Sequence, residues 1–95
     1  MTIHITANHI RAGKRGECQE CPIALAIQEL LHPRAWCSVS GDMVAFGFGT
    51  SPVAVYGVAL PSVAVEFVRN FDASVWVEGM VLEVEVPGEF LRRGV

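Results

Sequence analysis

The sequence predicts an α+β domain in which a mainly antiparallel sheet of four to five strands carries two helices on one face. Three observations support that expectation. Short runs alternate apolar and polar residues at the strand period. Two stretches repeat apolar residues at the helical period, each with a proline at its start. The order runs strand, helix, two or three strands, helix, strand. No internal repeat or linker divides residues 1–95, so the whole chain is expected to be a single domain.

Thr2-Ile3-His4-Ile5-Thr6 alternates strictly and is rich in β-branched residues, which makes it the first strand, with His4 facing outward. Thr6 can cap a brief helical turn from Ala7 to Arg11 that stops near Gly13. Gly13 to Glu17 has no apolar period and reads as a loop. Pro22 suits the first turn of a helix, where its missing N–H costs nothing. Ile23, Ile27, Leu30 and Leu31 then recur on one face until His32-Pro33 ends the pattern.

Ala35 to Val39 and Met43 to Phe48 read as the arms of a hairpin about Ser40-Gly41-Asp42. Val53 to Ala59 follows as another strand after the turn residues Gly49 to Pro52. Leu60-Pro61-Ser62 opens the second helix, whose Val63, Phe67 and Phe71 lie at spacing four, and Asp72-Ala73-Ser74 closes it. In the closing strand, Val81 to Val86, Leu82, Val84 and Val86 face inward and Glu83 and Glu85 face water. Val75-Trp76-Val77 reads as a short separate strand or an extension of this one. The tail from Pro87 to Val95 is either a docked turn or a frayed end.

Of the 95 residues, 52% are hydrophobic and 18% are charged, which is enough apolar surface to exclude disorder. Seven basic residues and a net charge of −3 exclude a general nucleic-acid binder, which needs clustered Lys and Arg. No apolar run is long enough to span a membrane, and no charged-then-apolar leader opens the chain. Three cysteines do not suit a secreted disulfide framework, so the cytoplasm is the expected location. So much apolar surface on so small a domain points to a homodimer.

The most chemically suggestive stretch is Gly13-Lys14-Arg15-Gly16-Glu17-Cys18-Gln19-Glu20-Cys21-Pro22. It sets a glycine-bearing loop with two cations directly before a helix N-terminus, where free amides and the helix dipole favour an anion. Gly13, Lys14, Arg15, Gly16, Cys18 and Cys21 are therefore the expected ligand-binding residues. The loop is not a Walker A motif, because no Lys-Ser/Thr follows its last glycine. Glu17 and Glu20 oppose an anion unless they point away. The plain alternative is a solvated loop.

Cys18-Gln19-Glu20-Cys21 also has C-x-x-C spacing. It reads as a thiol-exchange pair, as part of a Cys3His zinc site with Cys37 and His9 or His32, or as two packed cysteines. No nucleophile–His–acid arrangement can be assembled from spacing, so neither an enzyme nor a cofactor is expected. Trp36, Trp76 and Tyr56 could stack on a base or anchor an interface; Trp36, within a strand, is expected in the core.

His9-Ile10, Gly13, Gly16, Cys18 and Cys21-Pro22-Ile23-Ala24-Leu25-Ala26, with Leu60-Pro61 and Phe67-Val68-x-x-Phe71-Asp72 later, resemble a family of small uncharacterised phage and prophage proteins. The resemblance covers about two-thirds of the chain, and the Cys-Pro-Ile-Ala-Leu-Ala run is its most specific part. It brings no site residues with it. It implies a setting: a phage accessory protein in the host cytoplasm that blocks a host protein or sequesters a host signal, many of which are nucleotide-derived. Joined to the basic loop, this gives the expectation of a non-catalytic protein that sequesters a phosphate-bearing, nucleotide-like molecule. A host-protein inhibitor and a zinc- or thiol-dependent accessory protein are the alternatives.

Overall fold

The computed structural model describes residues 1–95. Thr2–Ile5 (β1) runs into Ala7–Ala12 (α1), and Pro22–Gln28 forms α2. The strands Ala35–Ser40 (β2), Met43–Phe48 (β3) and Tyr56–Ala59 (β4) follow. Ser62–Asp72 (α3), Met80–Glu83 (β5) and a 3-10 turn at Gly88–Phe90 complete the order.

The architecture is α+β, but the strands do not form one sheet. β1 pairs only with β5, antiparallel, from Thr2↔Glu83 to Ile5↔Met80. β2, β3 and β4 make a separate antiparallel meander in that order. The helices number three rather than two, because Thr6 begins a complete capping box. Its hydroxyl accepts from the His9 N–H, and the His9 ring accepts from the Thr6 N–H at 3.0 Å.

The physical reason for the split lies at the outer edge of β2. Gly49 N–H donates to Arg34 C=O, which fixes the alternation so that Trp36, Ser38 and Ser40 bond to β3. The N–H groups of Ala35, Cys37 and Val39 therefore point away from the sheet, and each already has a partner: His32 C=O, Gln28 Oε1 and Cys18 C=O. Gln28 Nε2 also donates to Ala35 C=O at 2.9 Å. With that edge occupied by one side chain and one loop, β1 and β5 cannot extend the meander there.

Other departures have local causes. β4 begins at Tyr56 rather than Val53, because Val55 N–H donates to Phe46 C=O while Phe46 also faces Tyr56, a bulge that ends regular pairing. β5 stops at Glu83 rather than Val86, with one further bond from Val84 N–H to Met1 C=O at 3.0 Å beyond the regular ladder. α2 ends at Gln28, and Leu30 and Leu31 turn out of it through tighter bonds to Ile27 and Gln28. Leu31 is nevertheless buried, bridged to Leu91. The tail is thus a docked turn.

Phe90 anchors that tail. It is fully buried, with ring centroids 5.3 Å from Phe46 and 4.7 Å from Phe48. It belongs to one cluster of 20 buried residues drawn from every helix except α1. Trp36 is only half-buried, on the outer face of the meander, where its ring lies so close over Gly47 that a Cβ there would sit 2.3 Å from it. No helix is long and apolar enough to cross a membrane.

Candidate functional site

The loop from Gly13 to Cys21 is held by bonds within itself and to the ends of β2 and α3. Gly13 is extended and packs on Pro22, which would lie 2.8 Å from a Cβ at that position. Gly16 has φ +73, the left-handed region that glycine enters without strain. Its N–H donates to Asp72 Oδ1 at 3.1 Å, so an internal carboxylate occupies the amide that an external anion would need. Lys14 pairs with Glu20 at 3.3 Å. Arg15 forms no ion pair and lies 5.6 Å from the centroid of the Phe71 ring.

This geometry corrects the expected electrostatics. Lys14 and Arg15 share their surroundings with Glu17, Glu20 and Asp72, so carboxylates outnumber cations. A groove of about 450 Å³ runs over Gly16 to Glu20 and Ser38, and a hollow of about 100 Å³ lies between Cys18, Cys21, Val39, Val68 and Asp72. Neither is lined by Lys14 or Arg15. The hollow is also smaller than ligand pockets, which run to several hundred Å³. Gly16, Cys18 and Cys21 come together there, whereas Gly13 and both cations do not.

The cysteines behave as packed groups. Cys21 caps α2, its Sγ accepting from Ala24 N–H at 3.4 Å. Burial raises the pKa of its thiol, more than the helix amides lower it, which is the opposite of an activated nucleophile. Burial pushes Cys37 up to about 12, and its Sγ donates to Ala24 C=O. Cys18 is exposed and all three thiols are free. No three His, Cys, Asp or Glu side chains are placed to hold a metal, so Cys18, Cys21, Cys37 and a histidine do not converge into the zinc site considered from spacing.

Two further regions stand out in the structure. The first is a cleft of about 580 Å³ lined by Thr6, Asn8, His9, Ala12, Leu25, Gln28 and Glu29. His9 Nδ1 accepts from Thr6 N–H, so Nε2 carries the proton and donates to Glu29 Oε1 at 2.6 Å. This clasp ties α1 to the end of α2. The Thr6–His9 half of it follows from the capping box, while Glu29 is twenty residues away and gives no sequence signal.

The second region is apolar surface. In the meander, Leu60 N–H donates to Asp42 C=O, which places the inward bonds of β4 at Tyr56 and Val58. Gly57 and Ala59 therefore turn their N–H and C=O groups outward, and no partner meets them. Around this edge Val53 is 66% and Val55 is 63% exposed, and Met43, Tyr56 and Phe48 are exposed as well. After α3, Trp76 is 78% exposed. No family model, curated protein or solved structure gives a significant match to this chain.

Proposed function

We propose that this chain is a non-catalytic binding protein that works as a homodimer and acts stoichiometrically on a protein partner. One observation carries the reading: the outward main-chain groups of β4 have no partner within the chain. Native edges are blunted by charges, prolines or a covering element, and β2 has such a cover in Gln28 and the Cys18 carbonyl. β4 is limited only by its four-residue length and the bulge at Val55, and its outward main-chain groups belong to the small, uncharged Gly57 and Ala59. Two copies pairing antiparallel about Val58 let Gly57 and Ala59 of one exchange main-chain bonds with Ala59 and Gly57 of the other, a two-fold, self-complementary contact.

Phage counter-defence in the host cytoplasm is the setting that suits such a protein, since titration of a host component needs binding and no turnover. The test is molecular mass in solution. Ala59→Pro removes an outward N–H that β3 does not use and is expected to convert the dimer to a monomer with its circular dichroism unchanged. A wild-type chain that stays monomeric at about 100 μM, where any dimer tighter than micromolar would be populated, overturns the reading.

A second reading keeps the phosphate-bearing, nucleotide-like ligand. It is favoured by Arg15, a guanidinium free of carboxylate partners over an aromatic ring. A thermal-shift panel of nucleotides tests it, because a ligand selective for the native state raises the melting temperature by mass action. The Lys14→Ala/Arg15→Ala double variant is expected to lose that rise. No rise with any nucleotide rejects the site.

A further inference from the structure

From the cleft beneath Trp76 we infer a docking site for a basic, apolar segment of another protein, one that sets an arginine or lysine beside an aliphatic side chain. The inference rests on the reading of the chain as a protein-binding module and names the chemistry of the partner.

The end of α3 creates this surface. Ser74 N–H donates to Phe71 C=O and Val75 N–H to Asn70 C=O at 2.8 Å, the two bonds of a Schellman motif. Ser74 takes the left-handed position at φ 63, and the chain reverses there. The reversal carries Val75 and Trp76 out of the core, and the segment from Trp76 to Met80 then returns alongside α3. Between them lies a cleft of about 400 Å³ whose floor and walls include Val63, Phe67, Val77 and Met80.

Two properties of the cleft fix the occupant. Trp76 offers its indole almost entirely to solvent, with Val75 and Val63 each 52% exposed beside it. Exposed tryptophan is the side chain most often found at the energetic centre of protein interfaces. The charged residues that line the cleft are Glu66 and Glu78, and no lysine, arginine or histidine lines it. Neither carboxylate is in an ion pair. An aromatic face beside two unpaired carboxylates matches a cationic head on an aliphatic stem. The head gains both cation–π attraction and charge pairing, and the stem covers the ring. The same carboxylates repel phosphates, nucleic acid and anionic lipid, so a basic peptide is the favoured class.

The test uses the full chain and two capped hexapeptides, one alternating arginine with leucine and one alternating glutamate with leucine. The readout is the Trp76 indole N–H resonance, assigned by its loss in Trp76→Phe. The arginine peptide is expected to shift that resonance saturably at submillimolar concentration, while the glutamate peptide leaves it unmoved. The Glu66→Gln/Glu78→Gln variant keeps the shape of the cleft and is expected to weaken binding about tenfold, as is a rise in salt from 50 to 500 mM. Equal binding of both peptides, affinity unaltered in the double Gln variant, or no saturable shift overturns the inference. Because these substitutions leave the main-chain groups of Gly57 and Ala59 unaltered, the mass of the wild-type chain in solution reports separately on the homodimer.

Discussion

Replacing Gln28 by Met removes two hydrogen bonds while nearly preserving side-chain volume, and so isolates the role of this residue in sealing β2. The amide donates to Ala35 C=O at 2.9 Å and accepts from Cys37 N–H at 3.3 Å, and both of those residues are buried. A buried main-chain group left without a partner costs about 1–3 kcal/mol. Gln28 itself is half-buried, so water reaches part of the gap, and the lower figure applies to each group. The expected loss is about 2 kcal/mol, which in a domain of this size lowers the melting temperature by about 10 °C. Gln28→Glu is an internal control: its carboxylate still accepts from Cys37 but cannot donate to Ala35, so about half the loss is expected. Urea unfolding followed by circular dichroism, at protein concentrations too low for association, gives the midpoint and slope. If Gln28→Met unfolds within about 0.5 kcal/mol of wild type, Gln28 does not seal the edge and the explanation for two separate sheets fails.

Other substitutions probe other joints. Phe90→Ala empties the aromatic cluster that holds the tail against Phe46 and Phe48; it should cost about 3–5 kcal/mol in the same unfolding assay and expose residues after Pro87 to proteolysis. Ser74→Gly relieves the left-handed strain at the end of α3 and is expected to raise stability by about 0.5–1 kcal/mol. Cys37 titrates at 9.0 ordinarily and near 12 in the fold. Its thiol therefore stays protonated in the native chain after the unfolded chain has ionised. Stability from this group is full below pH 9.0 and is lost as pH rises toward 12, by about 4 kcal/mol for a shift of that size. Cys37→Ala should flatten the alkaline limb of a stability–pH curve relative to wild type, and parallel limbs would refute the assignment.

Local chemistry made much of the fold legible. The Thr6 cap, the Pro22 helix start, the Ser40-Gly41-Asp42 turn and the apolar spacing of α3 each act over a few residues, so pattern alone reveals them. What escaped depends on groups distant in the chain. Gln28 looks like an ordinary polar position on α2, and nothing in its neighbourhood shows that it will cap β2. Val75-Trp76-Val77 has strand propensity, yet the Schellman bonds from Ser74 and Val75 turn it outward. The loop before Pro22 shows the same divide. Its two cations were plain to see, but the pairing of Lys14 needed Glu20, and the loss of the Gly16 amide to an internal carboxylate needed Asp72 from the end of α3. The Glu29 half of the His9 clasp likewise comes from another helix.

The unequal sides of the meander set its valence. One side is used up by the chain itself, so each molecule has a single free row of main-chain groups to offer in that sheet. A second copy that takes this row spends its own in the same act. Growth by strand addition then stops at two, and a filament, which needs a giving and a receiving side on every unit, has no route through this sheet while Gln28 stays in place.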